Sequence, residues 1–145
     1  MMDDNGSEYR HATFGEEMEG RKIISTWIAR DDENERIHFV TDDGHFVMTH
    51  IQDCCESVEI KEIDNDLNKL VGATIVEASV ESNEGDVPND YGTFTWTFYK
   101  LATNRGDYFT ISWYGESNGY YSEDADFIEL NQATSTNEIA KAKGE

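Results

Sequence analysis

The alternation of apolar and polar positions is the strongest pattern in this chain, and it predicts an antiparallel β protein. A two-residue period places one set of side chains on a buried face and the other set in solvent. Clusters of Asp, Asn and Gly separate the alternating segments, as expected for turns. Between six and eight strands are predicted, over residues 22–29, 36–41, 46–51, 57–63, 74–80, 93–99, 108–114 and around 127–130.

The second and third of these segments are predicted to form a hairpin. Asp43-Gly44 lies between them, and Asp-Gly is favoured in two-residue turns that need positive φ. This turn would place Asp42 opposite His45. The more apolar face of the hairpin is expected to point to the core, and it carries Ile37, Phe39, Phe46, Met48 and His50.

One short helix is expected at about residues 64–71. Asp64 or Asn65 can cap its N-terminus, three apolar residues follow at helical spacing, and Gly72 lies where a helix ends. The predicted fold class is therefore α+β, a mostly antiparallel β-sheet with this one helix.

The length of 145 residues fits a single domain, and 37% of the residues are apolar, enough for a core. The N-terminal end is polar, acidic and without periodicity, and could be ordered from about Phe14 onwards. The C-terminal end is polar, with weak helical potential from Asn137 to Lys143. We expect a mobile acidic N-terminal segment at 1–19, an α+β domain at 20–130 and a polar C-terminal tail at 131–145.

The net charge of −20 narrows the range of partners. With 31 acidic residues against 11 basic ones, direct binding to nucleic acid or to an anionic membrane is not expected. The chain has no apolar run long enough to span a membrane. Its N-terminus lacks the basic start and apolar stretch of a signal peptide, so a cytoplasmic protein is the default.

The acidic residues are concentrated in one part of the chain. Residues 51–90 hold eleven acidic residues and two lysines, a net charge of −9. Because like charges at this density oppose compaction, they suggest either a role in solubility or a basic partner. Dense carboxylates on a rigid sheet could also imitate the phosphates of DNA. The candidate partner-binding residues are Glu59, Glu62, Asp64, Asp66, Glu77, Glu81, Glu84, Asp86 and Asp90.

The run from His50 to Glu56 offers several metal-ligating side chains, including Cys54 and Cys55. Zinc sites use cysteines two to four residues apart, and adjacent cysteines in an extended segment point to opposite faces. We therefore expect two reduced thiols, one of them packed as a small apolar residue, and no metal. A metal or small-ligand site centred on His50, Cys54 and Cys55 stays as an alternative.

Other chemical signatures are weak. His38 and His45 share a hairpin face but would lie two cross-strand pairs apart, so each is expected to be solvated or hydrogen-bonded. Asp64-Asn65-Asp66 lacks the glycine and the glutamate of a calcium loop. Nucleophile elbows and nucleotide-binding glycine patterns are absent from the sequence, so we expect neither enzyme activity nor a cofactor.

An aromatic segment spans Trp113 to Tyr121 and could stack a base or a sugar, although it holds no Lys or Arg. The alternative is an ordinary aromatic cluster beside a glycine-rich turn. Exposed aromatic strands would also permit a homodimer through edge pairing.

Four segments together resemble a small uncharacterised family of phage and prophage proteins: H-I-Q-D-C-C-E-S-V, N-D-L-N-K-L-V-G, T-W-T-F-Y-K-L-A-T and W-Y-G-E-S-N-G-Y-Y-S. The resemblance covers about residues 20–130 and carries no assigned catalytic residues. It implies a phage setting, in which small acidic proteins often inhibit host defence or DNA-processing enzymes. The leading hypothesis is an acidic anti-CRISPR or anti-restriction inhibitor in the host cytoplasm, with a basic nuclease or CRISPR effector as partner. A plain structural accessory protein is a further alternative.

Overall fold

Two antiparallel sheets make up the fold of this protein. The computed structural model describes residues 9–30, 34–88 and 92–144. The first sheet has the strand order β1-β9-β4-β3-β2 and the second has the order β5-β8-β7-β6. The first sheet consists of β1 (Tyr9–His11), β2 (Ile23–Arg30), β3 (Glu35–Thr41), β4 (Gly44–Thr49) and β9 (Asp126–Leu130). The second consists of β5 (Ser57–Ile63), β6 (Ile75–Asp86), β7 (Thr93–Thr103) and β8 (Tyr108–Ser117).

The main core lies between the two sheets. Phe39, Phe46 and Met48 from the first sheet join Ile111 and Trp113 from the second in one buried cluster. Burial of these apolar side chains is the main source of stability. The strands alternate as the sequence predicts, so the mostly antiparallel β architecture is confirmed.

The prediction of one short helix at 64–71 is wrong in detail. That segment forms a single 3-10 turn at Leu67–Leu70, capped by the Asp66 side chain. Two α-helices lie elsewhere in the described chain, α1 at Phe14–Met18 and α2 at Gln132–Ala142. The helical spacing covers only about two turns, and Val71 already has extended backbone, so the turn ends at Leu70, which is buried in the core.

The ends of the chain agree with the prediction only in part, because order from about Phe14 and helical potential from Asn137 were expected but β1 and the full length of α2 were not. The expected mobile segment 1–19 holds β1 and α1 in its described part, and Phe14 and Met18 are buried. Its first eight residues lie outside the described residues. The expected tail 131–145 forms α2, which begins where the Asn131 side chain accepts a hydrogen bond from the Thr134 backbone N–H.

The hairpin of β3 and β4 forms with the predicted faces but a different register. Thr41 pairs with Gly44 and Val40 with His45, so Asp42 and Asp43 are the two loop residues. Gly44 has φ +122°, a backbone conformation that favours glycine. It lies directly after the two loop residues rather than within the loop. The apolar face is confirmed, with Ile37, Phe39, Phe46 and Met48 fully buried.

Candidate interaction surface

The predicted acidic residues are exposed, but they do not form one continuous row. Eight of the nine lie in exposed positions, and Asp90 lies outside the described residues. Glu59 and Glu62 point outward from β5, and Glu77 and Glu81 are exposed on β6. Since β5 and β6 are the two edge strands of the second sheet, about 14 Å separates these two groups.

The other predicted residues have local partners. The Asp64 carboxylate accepts a hydrogen bond from the Thr110 backbone N–H at 2.7 Å, and Asp66 caps the 3-10 turn. Both side chains thus hold the chain between β5 and β6 in place. Their contribution to a partner surface is secondary to this structural role.

Glu84 and Asp86 line a separate acidic cavity of about 440 Å³ at the end of β6. Glu123 is buried there, and its carboxylate accepts hydrogen bonds from the hydroxyls of Thr93, Thr95 and Ser117. Burial and the neighbouring acidic groups raise the pKa of Asp124. The three hydroxyl donors satisfy Glu123 without a cation, as buried carboxylates require.

A stripe of aromatic side chains runs along the outer face of the second sheet, between its two acidic edges. We call it the aromatic face, and it consists of Phe94, Trp96, Phe98 and Tyr114. Trp96 stacks on Phe98 with ring centroids 5.8 Å apart, and its ring lies 4.7 Å from that of Tyr114. The four side chains are half-buried and form one surface.

Sequence reasoning expected exposed aromatic strands but did not identify which side chains form the aromatic face, because either face of β7 could have been the buried one. Threonine alternates with aromatics there, and the threonines Thr95 and Thr97 are the residues that point inward. The strict alternation of threonine with aromatic residues did indicate that all the aromatics up to Phe98 share one face of the strand. What settles the direction is the inward Tyr99 and Leu101 further along β7, which belong to the core.

The predicted stacking platform at Trp113 to Tyr121 is split by the fold. Trp113 is buried in the core, Tyr114 lies on the aromatic face, and Tyr120 is 83% exposed in the following loop. Because successive strand residues point to opposite faces, this run cannot act as one platform. Tyr114 is the member that joins the aromatic face, and its hydroxyl donates to Glu116 at 2.7 Å.

The run from His50 to Glu56 connects β4 in the first sheet with β5 in the second, and a buried carboxylate organises it. The Glu56 side chain accepts hydrogen bonds from the backbone N–H groups of Asp53 and Cys54 at 2.8 and 2.9 Å. Its Oε2 also lies 2.7 Å from His50 Nε2. Burial opposes the charge, but these donors together lower the pKa of Glu56 to about 2.

His50 is fully engaged within the protein. Its Nδ1 lies 2.7 Å from the carbonyl oxygen of Asp124, so both ring nitrogens face oxygen acceptors. A metal ion needs a free ring nitrogen, and the arrangement offers none.

The expectation of two reduced thiols is wrong: a disulfide joins Cys54 and Cys55. Both residues are exposed, so neither packs as a small apolar side chain. No group of three or more His, Cys, Asp or Glu in residues 9–30, 34–88 and 92–144 is arranged to hold a metal ion. The geometry therefore does not favour the alternative of a metal site at His50, Cys54 and Cys55.

His38 and His45 meet on the outer side of the first sheet. The register of β3 and β4 makes them diagonal neighbours, with His38 Nδ1 2.9 Å from His45 Nε2. Trp27 stacks on His38 at 4.5 Å, and Ser135 of α2 lies 2.7 Å from His45 Nδ1. Each was expected to be solvated or hydrogen-bonded, and the structure shows the second: both rings are buried and hydrogen-bonded. Their separation is much shorter than predicted.

A hydrogen-bonded series runs from Ser135 through His45 to His38. Its order resembles that of a nucleophile, a general base and a residue that orients the base. Burial lowers the pKa of His45 to about 4, against the opposing charge of Glu138. A base this weak removes little of the proton from a serine hydroxyl at neutral pH. We therefore interpret this series of hydrogen bonds as the attachment of α2 to the first sheet rather than as catalytic machinery.

Protonation of this pair is expected to destabilise the protein in mild acid. Burial, with His45 and Arg36, lowers the pKa of His38 to about 3, and that of His45 is about 4, both below the ordinary 6.5. The unfolded chain thus binds more protons, so stability is complete above pH 6.5 and falls as the pH drops towards 4. Urea unfolding should show a loss of about 1 kcal/mol per pH unit for each ring. A variant with His38→Gln and His45→Gln should lack this part of the pH dependence, and an unchanged slope would contradict the assignment.

The fold and the surface define a two-sheet antiparallel protein whose second sheet exposes aromatic side chains between acidic edges. Residues 16–127 match the family described as Domain of unknown function (DUF7448), and the chain belongs to this family. Searches of curated proteins and of solved structures gave no match. In the described residues, no helix is long and apolar enough to cross a membrane.

Proposed function

We propose that this chain is a non-catalytic binding protein for a basic, nucleic-acid-processing protein. The observation that carries the proposal is the exposure of the carboxylates on both edge strands of the second sheet. Such a surface attracts a basic partner at long range and speeds association. The total charge of −20 acts in the same direction.

The resemblance to phage proteins supports a more particular form of the proposal. The partner would be a host defence protein in the host cytoplasm, such as a CRISPR effector or a restriction enzyme, whose basic nucleic-acid channel meets the acidic edges. Full imitation of a DNA backbone needs dense rows of charge. The edges offer fewer free carboxylates than that, because Lys61 pairs with Glu59 and Lys100 pairs with Glu81.

The test measures binding while salt is raised. A guide-loaded Cas9-type effector and a type II restriction enzyme serve as nucleic-acid-processing partners, and a basic protein without a nucleic-acid site serves as the control. Affinity for at least one of the first two should fall about tenfold or more between low and physiological ionic strength, because exposed charges are screened. Binding that does not change with salt, or that is equally strong for the control protein, would contradict the proposal.

Charge reversal should weaken the same binding. Replacing Glu81, Glu84 and Asp86 with Lys changes the β6 edge and its acidic cavity, and we expect affinity to fall about tenfold or more. The matched control carries the same change at Glu16, Asp43 and Asp53, which are exposed outside the second sheet. Equal losses in both variants would mean that net charge alone, rather than this surface, attracts the partner.

A further inference from the structure

The aromatic face departs from the ordinary pattern of a two-sheet protein. The solvent side of an antiparallel sheet is commonly polar, whereas four aromatic side chains lie together on this one. Aromatic residues are enriched in the centres of protein interfaces. The face therefore has the composition of a contact surface.

The described part of the chain leaves this face uncovered. The long helix α2 is attached to the first sheet through Ser135 and His45, on the other side of the molecule from the aromatic face. Two shallow cavities of about 400 and 360 Å³ border the stripe, and Trp96 lines both. Trp96 lies at their junction, the position of an anchoring contact.

Charge narrows the choice of occupant. Glutamates flank the stripe on both sides, and they are Glu59, Glu62, Glu116, Glu77 and Glu81. The lysines on this face, Lys61 and Lys100, are already paired with Glu59 and Glu81. A second copy would bring glutamates against glutamates, and like charges at an interface are costly. Nucleic acid would meet the same carboxylates.

We propose that the aromatic face is the docking site for a basic amphipathic helix of the partner protein. Apolar side chains of that helix would lie on the stripe, and Lys or Arg on its flanks would reach the glutamates on both edges. Phe94 to Phe98 spans about 13 Å of strand, which matches about nine residues of a helix with apolar positions at i, i+4 and i+7. This inference rests on the proposed function and names the part of the partner that is bound.

The test uses synthetic helices of about 14 residues as probes. The first carries a Leu stripe flanked by Lys, the second replaces Leu with Ala at the same charge, and the third replaces Lys with Glu. The Leu/Lys helix should bind at least tenfold more tightly than the Ala/Lys helix, and the Leu/Glu helix should not bind. Equal binding of the Leu/Lys and Ala/Lys helices would overturn the docking site, because charge alone would then explain it.

Matched variants locate the site. Trp96→Thr with Phe98→Thr keeps strand-favouring residues and removes the anchors, and it should weaken Leu/Lys binding at least tenfold. Tyr120→Thr is the control, since Tyr120 is an aromatic residue 83% exposed outside the aromatic face. Loss of binding only in the first variant supports the site. Equal binding by both variants overturns it.

Two further outcomes separate this inference from the proposed function. If the Trp96/Phe98 variant still binds a basic nuclease with the full salt dependence, the docking site is wrong and the proposed function stands. If no nucleic-acid-processing protein binds but the Leu/Lys helix binds at Trp96, the proposed function fails and the site stands. Sedimentation that shows a dimer dissociated by Trp96→Thr would overturn the inference in favour of a second copy.

Discussion

Replacing Glu56 with Gln is expected to lower the free energy of unfolding by about 3 kcal/mol, measured by urea denaturation. The wild-type carboxylate accepts from two backbone N–H groups and lies 2.7 Å from His50 Nε2. A Gln side chain has only one acceptor oxygen, so its NH₂ group must face at least one of these donors. His50 would also lose the buried negative charge opposite it.

The position of Glu56 in the fold makes this loss global rather than local. The loop that it organises connects the two sheets, and His50 also lies 2.7 Å from the Asp124 carbonyl oxygen just before β9. Loss of the Glu56 carboxylate therefore loosens both the loop that connects the two sheets and the start of β9. The transition is expected to stay cooperative, with a lower midpoint and an unchanged slope.

The pH dependence gives an independent check on the same group. The pKa of Glu56 is lowered to about 2 from an ordinary 4.5. Its stabilisation is thus complete above pH 4.5 and is lost as the pH falls through about 2. The difference between wild type and Glu56→Gln should shrink across that window.

Glu59→Gln is the matched control for Glu56→Gln. Glu59 is half-exposed and pairs only with Lys61, so its replacement should change stability by less than about 0.5 kcal/mol. An effect of Glu56→Gln as small as that of the control would show that the buried carboxylate is not an anchor.

Replacing Gly115 with Ala is expected to cost about 3 kcal/mol. Gly115 faces the interior from β8, opposite Thr95. A methyl group there would overlap the backbone oxygen of Glu123 and lie 2.9 Å from Val58 Cγ2. Backbone cannot move aside as a flexible side chain can, so the segment that carries Glu123 must shift and its hydroxyl contacts weaken.

Gly106→Ala is the comparison variant, because it changes the backbone conformational energy of a glycine without introducing a steric clash. Gly106 has φ +84°, and no other atom lies near the position of an added methyl group. Its replacement should cost about 1 kcal/mol from conformation alone. Hydrogen exchange should show faster exchange around Glu123 only in Gly115→Ala. Equal stability losses without that local change would mean that Gly115 is not needed for close approach.

Much of the fold follows from local pattern. The division of β3 and β4 into two faces was predictable because apolar residues recur at every second position on one of them. That the other face, with His38, His45 and Val47, is buried as well was not predictable from this pattern. The helices were not predictable in the same way. The apolar spacing after Asp64 gives only a 3-10 turn. The polar segment after Asn131 showed weak helical potential only from Asn137, yet it forms α2 from Gln132.

The His pair shows the limit of sequence reasoning most clearly. His38 and His45 were correctly placed on one face, but the predicted register kept them apart. The observed register moves the turn to Asp42 and Asp43 and makes the rings neighbours. Register depends on packing against both neighbouring strands and on Gly44, which a local turn preference does not include.

The candidate surface also combines features that the sequence predicts with features that only the fold shows. The sequence by itself determined the acidic charge, the strand alternation and the exposure of carboxylates, because these follow from composition and from a two-residue period. Only the tertiary structure decided that Glu59 and Glu81 lie on opposite edges of one sheet and that Trp96 lies between them. Strand order and the inward side of β7 are set by the burial of distant residues such as Tyr99 against the first sheet, and no local pattern encodes those contacts.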